Sequence, residues 1–271
     1  MKVIISHDVD HLFRNDHYKD LIYPKLWVRS TLELLKRQYG VKEWFYRMIN
    51  PFCKVRHHIP EVLNFDRENG IESTFFFGMS NGLGMSYSID AARETIQYVL
   101  EQNFDVGVHG IAYNSFEKIK IEYNRLKKII GTTSFGIRTH YVRFDNSTFK
   151  LFDECGYLFD TSEFDKANGS LLEKPYKVGS LWEFPLAIMD GYLPLKLEEK
   201  KSRTLDLIRV AEEKNLPYLT ILFHDYQFCK GYSTERDWYI WIVEWLKKHN
   251  YEFISYKNAI LEMEKGITYG K

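Results

Sequence analysis

Val3-Ile4-Ile5-Ser6-His7-Asp8-Val9-Asp10-His11 opens with three β-branched residues and ends in two carboxylates flanked by two imidazoles. A short apolar run bounded by polar residues reads as a buried strand. Alternation along that strand sends Asp8 and Asp10 to the same side. The same arrangement recurs down the chain. Ser73 to Phe77, Asp105 to Val108, Gly136 to Arg138, Leu158 to Asp160, Trp182 to Phe184 and Tyr218 to Phe223 are strand candidates, and Phe253-Ile254-Ser255 is a last one. Helical spacing falls between them, over Ile89 to Gln102 with Ser88 or Asp90 near the N-cap, over Phe116 to Ile130, and over residues 202–214 and 237–249.

Strands alternating with helices predict an α/β fold with a parallel sheet or barrel. Asp8, Asp10, His109, Arg138, Asp160 and His224 each sit at or just past the C-terminal end of an apolar run. In a (β/α) barrel that end carries the active site. Packing alone gives no reason for six ionisable groups to arrive at one rim. Residues 12–65 are long, basic and aromatic (Lys36, Arg37, Trp44, Phe45, Tyr46, Arg47, Arg56, His57, His58), and read as a helical insertion over the barrel mouth.

Length is compatible with one large domain, residues 1–271. Lys+Arg and Asp+Glu are both 37, so there is no broad basic field to favour nucleic acid or an anionic membrane. Cys53, Cys155 and Cys229 are scattered and form no CxxC pair, which argues against a disulfide framework or a thiolate zinc site. No stretch approaches the roughly 20 apolar residues of a membrane span, and the start lacks the long apolar segment of a signal peptide. A cytoplasmic enzyme is the expectation, and nothing in the sequence sets an oligomeric state.

The chemistry follows from residue type. Two adjacent carboxylates repel unless a cation lies beside them, so one of Asp8 and Asp10 suits metal binding and the other a general base. His109, between glycines in Gly107-Val108-His109-Gly110, suits a metal ligand. His224, ending an apolar strand, suits a general acid toward a departing amine. Arg138 suits a bidentate contact that orients the base and keeps it ionised, or a structural ion pair.

Taken in order, these motifs resemble the polysaccharide deacetylase superfamily, the NodB-homology or carbohydrate esterase family 4 group, from residue 3 to about 257. The Ser6-His7-Asp8-Val9-Asp10 start, Ser73-Thr74-Phe75-Phe76, His109-Gly110-Ile111-Ala112-Tyr113, Arg138-Thr139-His140, Gly156 to Phe164 and Leu222-Phe223-His224 carry the resemblance. Details of the first, third, fourth and last are most similar to the WbmS-like O-antigen biosynthesis subgroup. The resemblance implies a distorted (β/α)7 TIM-like barrel and a metal-dependent, zinc-type N-deacetylase acting on an N-acetylated sugar in O-antigen or capsule biosynthesis; the alternatives are a carbohydrate-binding barrel with weak or no catalysis and a hydrolase of a small non-sugar amide. It implies Asp8 as base, Asp10 and His109 as metal ligands, and His224 as acid, with Asp160 or Glu163 tuning it. Tyr113 stands where the family has a second metal histidine. His140 is the expected replacement and His11 the second choice.

Overall fold

The computed structural model describes residues 1–17, 21–53 and 55–266. Its strands are β1 (Lys2–Val9), β2 (Thr74–Gly78), β3 (Asp105–Gly110), β4 (Ile137–Thr139), β5 (Phe159–Asp160), β6 (Tyr176–Val178), β7 (Leu181–Glu183), β8 (Ile188–Met189) and β9 (Tyr218–Leu222). They form one sheet in the order β6-β7-β5-β4-β3-β2-β1-β9-β8. Every pairing is parallel except the β6–β7 hairpin. The expected α/β class therefore holds. The stretch Leu181–Met189 pairs with β5 at its start and with β9 at its end.

The sheet separates two cores. Val3, Ile5 and Val9 of β1 point outward and join the main apolar cluster, with Phe75, Phe77 and residues of the surrounding helices. Ile4 points the other way, into a cluster of Phe76, Phe159, Phe184, Tyr218 and Tyr256 enclosed by the curled sheet. Ser6 and Asp8 share the parity of Ile4, which delivers Asp8 to the inner side. Large aromatics fit inside because the facing strands carry glycine. A Cβ on Gly107 would lie 2.6 Å from the Phe76 ring, and one on Gly136 2.3 Å from that of Phe159. Gly107 thus serves close packing below His109.

The helices are α1 (Ile22–Leu35), α2 (Val41–Ile49), α3 (Ile59–Glu68), α4 (Ile89–Glu101), α5 (Phe116–Ile130), α6 (Thr148–Cys155), α7 (Leu197–Glu213), α8 (Ser233–Lys248) and α9 (Tyr256–Glu264). Ser88 caps α4, its Oγ accepting from Ala91 N at 3.1 Å. Within residues 12–65, α1 and α2 help line a cavity that also holds Asp8, Asp10 and His109. In contrast, α3 sends Ile59, Val62 and Leu63 into the main core.

One strand expectation fails. Phe253 makes only an isolated parallel bridge to Val3. Strand β1 is already occupied by β9 along Lys2–Ser6 and by β2 from Ser6 onward, leaving a free side only near its start. Ser255 then turns the chain into α9 by accepting a hydrogen bond from Asn258 N.

Candidate active site

Asp10, His109 and His140 each present a ligand atom, all within 4.8 Å of one another. Asp10 Oδ1 is 3.2 Å from His109 Nε2 and 3.4 Å from His140 Nδ1, and the two nitrogens are 3.0 Å apart. The outer nitrogen of each ring faces a backbone carbonyl. His109 Nδ1 donates to Arg138 O at 3.1 Å, and His140 Nε2 to Leu83 O at 3.2 Å. Carbonyls only accept, so the protons of the neutral rings lie on the outer nitrogens and both inner nitrogens turn lone pairs toward each other. Lone pairs at that separation repel unless a proton or a cation lies between them.

Other observations favour the cation. Asp10 Oδ1 is buried without a hydrogen-bond partner. Burial opposes its ionisation, but the imidazoles of His109 and His140 beside it outweigh that and hold the Asp10 carboxyl well below the usual range. Ligands about 2.0–2.1 Å from a tetrahedral zinc stand roughly 3.3 Å from one another, and the three separations here bracket that value. The outer carbonyls also match the way proteins orient metal-binding imidazoles. The residues present fit a divalent ion.

Asp8 lies beside this cluster. Its Oδ1 accepts from Arg138 Nη1 at 2.8 Å, while Oδ2 faces His109 Nε2 at 3.7 Å. Burial would raise its carboxyl, yet His109 and the Arg138 guanidinium beside it hold it below the usual range. Arg138 is wholly buried; it donates also to Ser6 Oγ at 2.8 Å and lies 4.6 Å from the Phe76 ring centre.

His224 Nε2 stands 3.8 Å from Asp10 Oδ2, on the cavity wall. Its Nδ1 pairs with Asp190 Oδ1 at 2.8 Å, and its backbone N–H donates to Asp190 Oδ2 at 2.7 Å. Burial by itself would depress the imidazole. The charge and hydrogen bond of Asp190, with help from Asp10 and Asp8, push it up to about 10.

Asp8, Asp10, His109, Arg138, His140 and His224 therefore meet. Asp160 and Glu163 are not brought to His224, which corrects the expectation that either tunes it. Asp160 is buried off the cavity, its Oδ1 accepting from Ser162 Oγ at 2.6 Å with Glu183 as its buried neighbour. Glu163 instead accepts from Tyr176 Oη at 3.0 Å. The carboxylate on His224 is Asp190, which sequence reasoning missed. Its signal was present, because Asp190 follows the apolar run Leu186-Ala187-Ile188-Met189 as the other site residues follow theirs. His11 lies on the cavity but pairs with His17 at 3.0 Å, outside the cluster of three. Burial and the nearby Arg56 charge push its imidazole down to about 3. Tyr113 stacks under Arg143, 5.0 Å from the guanidinium carbon.

No protein-family model matches this chain, and no curated protein does. Solved structures match its fold. A Mycobacterium smegmatis protein assigned as a polysaccharide deacetylase superposes with a TM-score of 0.62 at 14% identity, over 99% of this chain and 93% of that one. The Puue allantoinase superposes with 0.59 at 13% identity, over 95% and 87%. A glycoside hydrolase family 57 branching enzyme from Thermococcus kodakaraensis superposes with 0.54 at 11% identity, over 100% and 71%. The chain thus has the fold of the polysaccharide deacetylase superfamily that its motifs resemble. Because different reactions share that fold, the reaction has to be read from the site.

Proposed function

We propose that the chain is a metal-dependent hydrolase that removes an N-acetyl group from an amino sugar, a precursor of a bacterial surface polysaccharide such as O-antigen or capsule. The observation that carries this reading is the Asp10–His109–His140 cluster with an arginine-held carboxylate on one side and a carboxylate-held imidazolium on the other. We also read the chain as a single domain in which Leu181–Met189 serves as one broken strand, bridging β5 and β9 to complete a distorted (β/α)7 barrel.

Two imidazoles and one carboxylate suit zinc. When bound, a divalent ion supplies Lewis-acid polarisation of the acyl carbonyl and of the attacking water. Asp8 is the base: Arg138 occupies Oδ1, leaving Oδ2 to take a proton from water as the oxygen adds to the amide carbon. His224, protonated at neutral pH by virtue of Asp190, gives its proton to the amide nitrogen as the C–N bond breaks. Acetate and a free amine leave. The cavity, about 490 Å³ with Tyr141, Tyr192 and Tyr226 on its walls, is of a size and character suited to a sugar.

The allantoinase likeness in fold favours a second reading, hydrolysis of a small non-sugar amide at the same centre. Protein stripped with a chelator, then given one equivalent of zinc, should release acetate from N-acetylhexosamine conjugates only after reloading. Turnover confined to simple or cyclic amides supports the second reading. Failure to bind zinc and to hydrolyse either class contradicts both.

A further inference from the structure

Five cations line the cavity: Lys25, Arg29, Arg47, Arg56 and Lys200. Three have carboxylate partners. Arg29 pairs with Glu33 at 2.7 Å, Arg47 with Glu43 at 2.6 Å and Glu33 at 3.0 Å, and Lys200 with Glu235 at 3.7 Å. Arg56 differs. It is 4% exposed, and its Nε and Nη1 are buried without a hydrogen-bond partner. Its charge rests on the Tyr23 ring, 5.3 Å from the centroid, and no ion pair reaches it among the described residues. The backbone around it is fixed, Arg56 N donating to Leu12 O at 2.9 Å.

A buried guanidinium without a counter-charge is strongly disfavoured, and unsatisfied buried donors call for a ligand or another explanation. Its planar fork matches an oxyanion, carboxylate or phosphate, rather than a neutral hydroxyl. Arg56 lines the same cavity as Asp8, Asp10 and His224, so an anion held there would belong to the molecule whose amide faces the metal ligands.

We infer that Arg56 is a specificity residue that binds an oxyanion on the substrate, making the preferred substrate an acidic N-acetylated sugar, either a uronate or a sugar phosphate. This rests on the reading of the cavity as an amino-sugar site, and the test separates the two. Calorimetry on the full chain compares N-acetylglucosamine, N-acetylglucosaminuronic acid and N-acetylglucosamine 1-phosphate, in wild type and in Arg56→Met. Wild type should bind one acidic probe about 10- to 100-fold more tightly than the neutral sugar, the range expected for charged hydrogen bonds. Whichever acid wins identifies the anion. Arg56→Met should abolish the preference while its Tm holds or rises, since an unpaired buried charge has gone. Equal binding of all three probes, a preference that survives in Arg56→Met, or a large fall in Tm overturns the assignment. Because the readout is binding, acidic preference without acetate release overturns the deacetylase reading alone.

Discussion

His109 Nε2 and His140 Nδ1 face each other at 3.0 Å, each ring anchored by a backbone carbonyl on its far side. The anchoring fixes which nitrogen is free to bind, and Asp10 Oδ1 completes the set. Asp10→Ala and His140→Ala should each weaken zinc by more than the roughly 10- to 100-fold lost when only an outer partner of a zinc ligand is removed. His11→Ala should retain the metal. Elemental analysis after dialysis against a weak chelator measures all three, and metal retention in His140→Ala would remove it from the ligand set.

Asp8→Asn keeps the shape of the base and abolishes its proton affinity. A loss of about 10²- to 10⁴-fold in kcat with metal content unchanged is expected. Arg138→Met should act differently, because it leaves the Asp8 carboxylate buried and unpaired. A stability loss of about 3–5 kcal/mol in urea titration follows from that. Full activity in Asp8→Asn would assign the base elsewhere.

The raised pKa of His224 comes from Asp190 overcoming burial. A general acid works while protonated, so activity should persist to alkaline pH in the wild type. In Asp190→Asn the alkaline limb of kcat/KM should move to lower pH, with kcat reduced. An unmoved limb beside a lowered rate would limit Asp190 to a packing role.

Glu122 is buried behind the site, its carboxylate accepting from Ile111 N at 3.0 Å and Ala112 N at 3.3 Å. Burial dominates those hydrogen bonds and pushes it up from 4.5 to about 7. The folded state therefore favours the protonated form. Its stabilising contribution is complete below pH 4.5 and is lost as pH rises through 7, an effect of at most about 3–4 kcal/mol at 1.36 kcal/mol per pH unit. Glu122→Gln should flatten the stability profile over that window in urea titrations at pH 4.5, 6 and 8. An unchanged slope would show that Glu122 does not titrate there.

Much of this was legible because strand parity is local. Apolar runs ending in polar residues located the inner rim, and Asp8, His109, Arg138 and His224 followed from it. His140, the third member of the cluster, was reachable through the motif resemblance, by asking what replaces the histidine absent at Tyr113. What stayed hidden depends on contacts distant in sequence. Asp190 meets His224 across 34 positions, from a strand only two residues long. Asp160 carried the right local signal, yet it is turned to the face of β5 opposite Phe159 and held there by Ser162 and Glu183. The failed strand at Phe253 obeyed local propensity, and only the occupancy of β1 by two neighbours excluded it.

The most direct measurement is an anomalous-scattering map from zinc-soaked crystals, recorded on both sides of the zinc edge. One peak within about 2.0–2.2 Å of Asp10, His109 Nε2 and His140 Nδ1, with Asp8 Oδ2 and His224 Nε2 outside ligand distance, is the predicted result. No peak at these residues, or a peak at His11 and His17 instead, would contradict it.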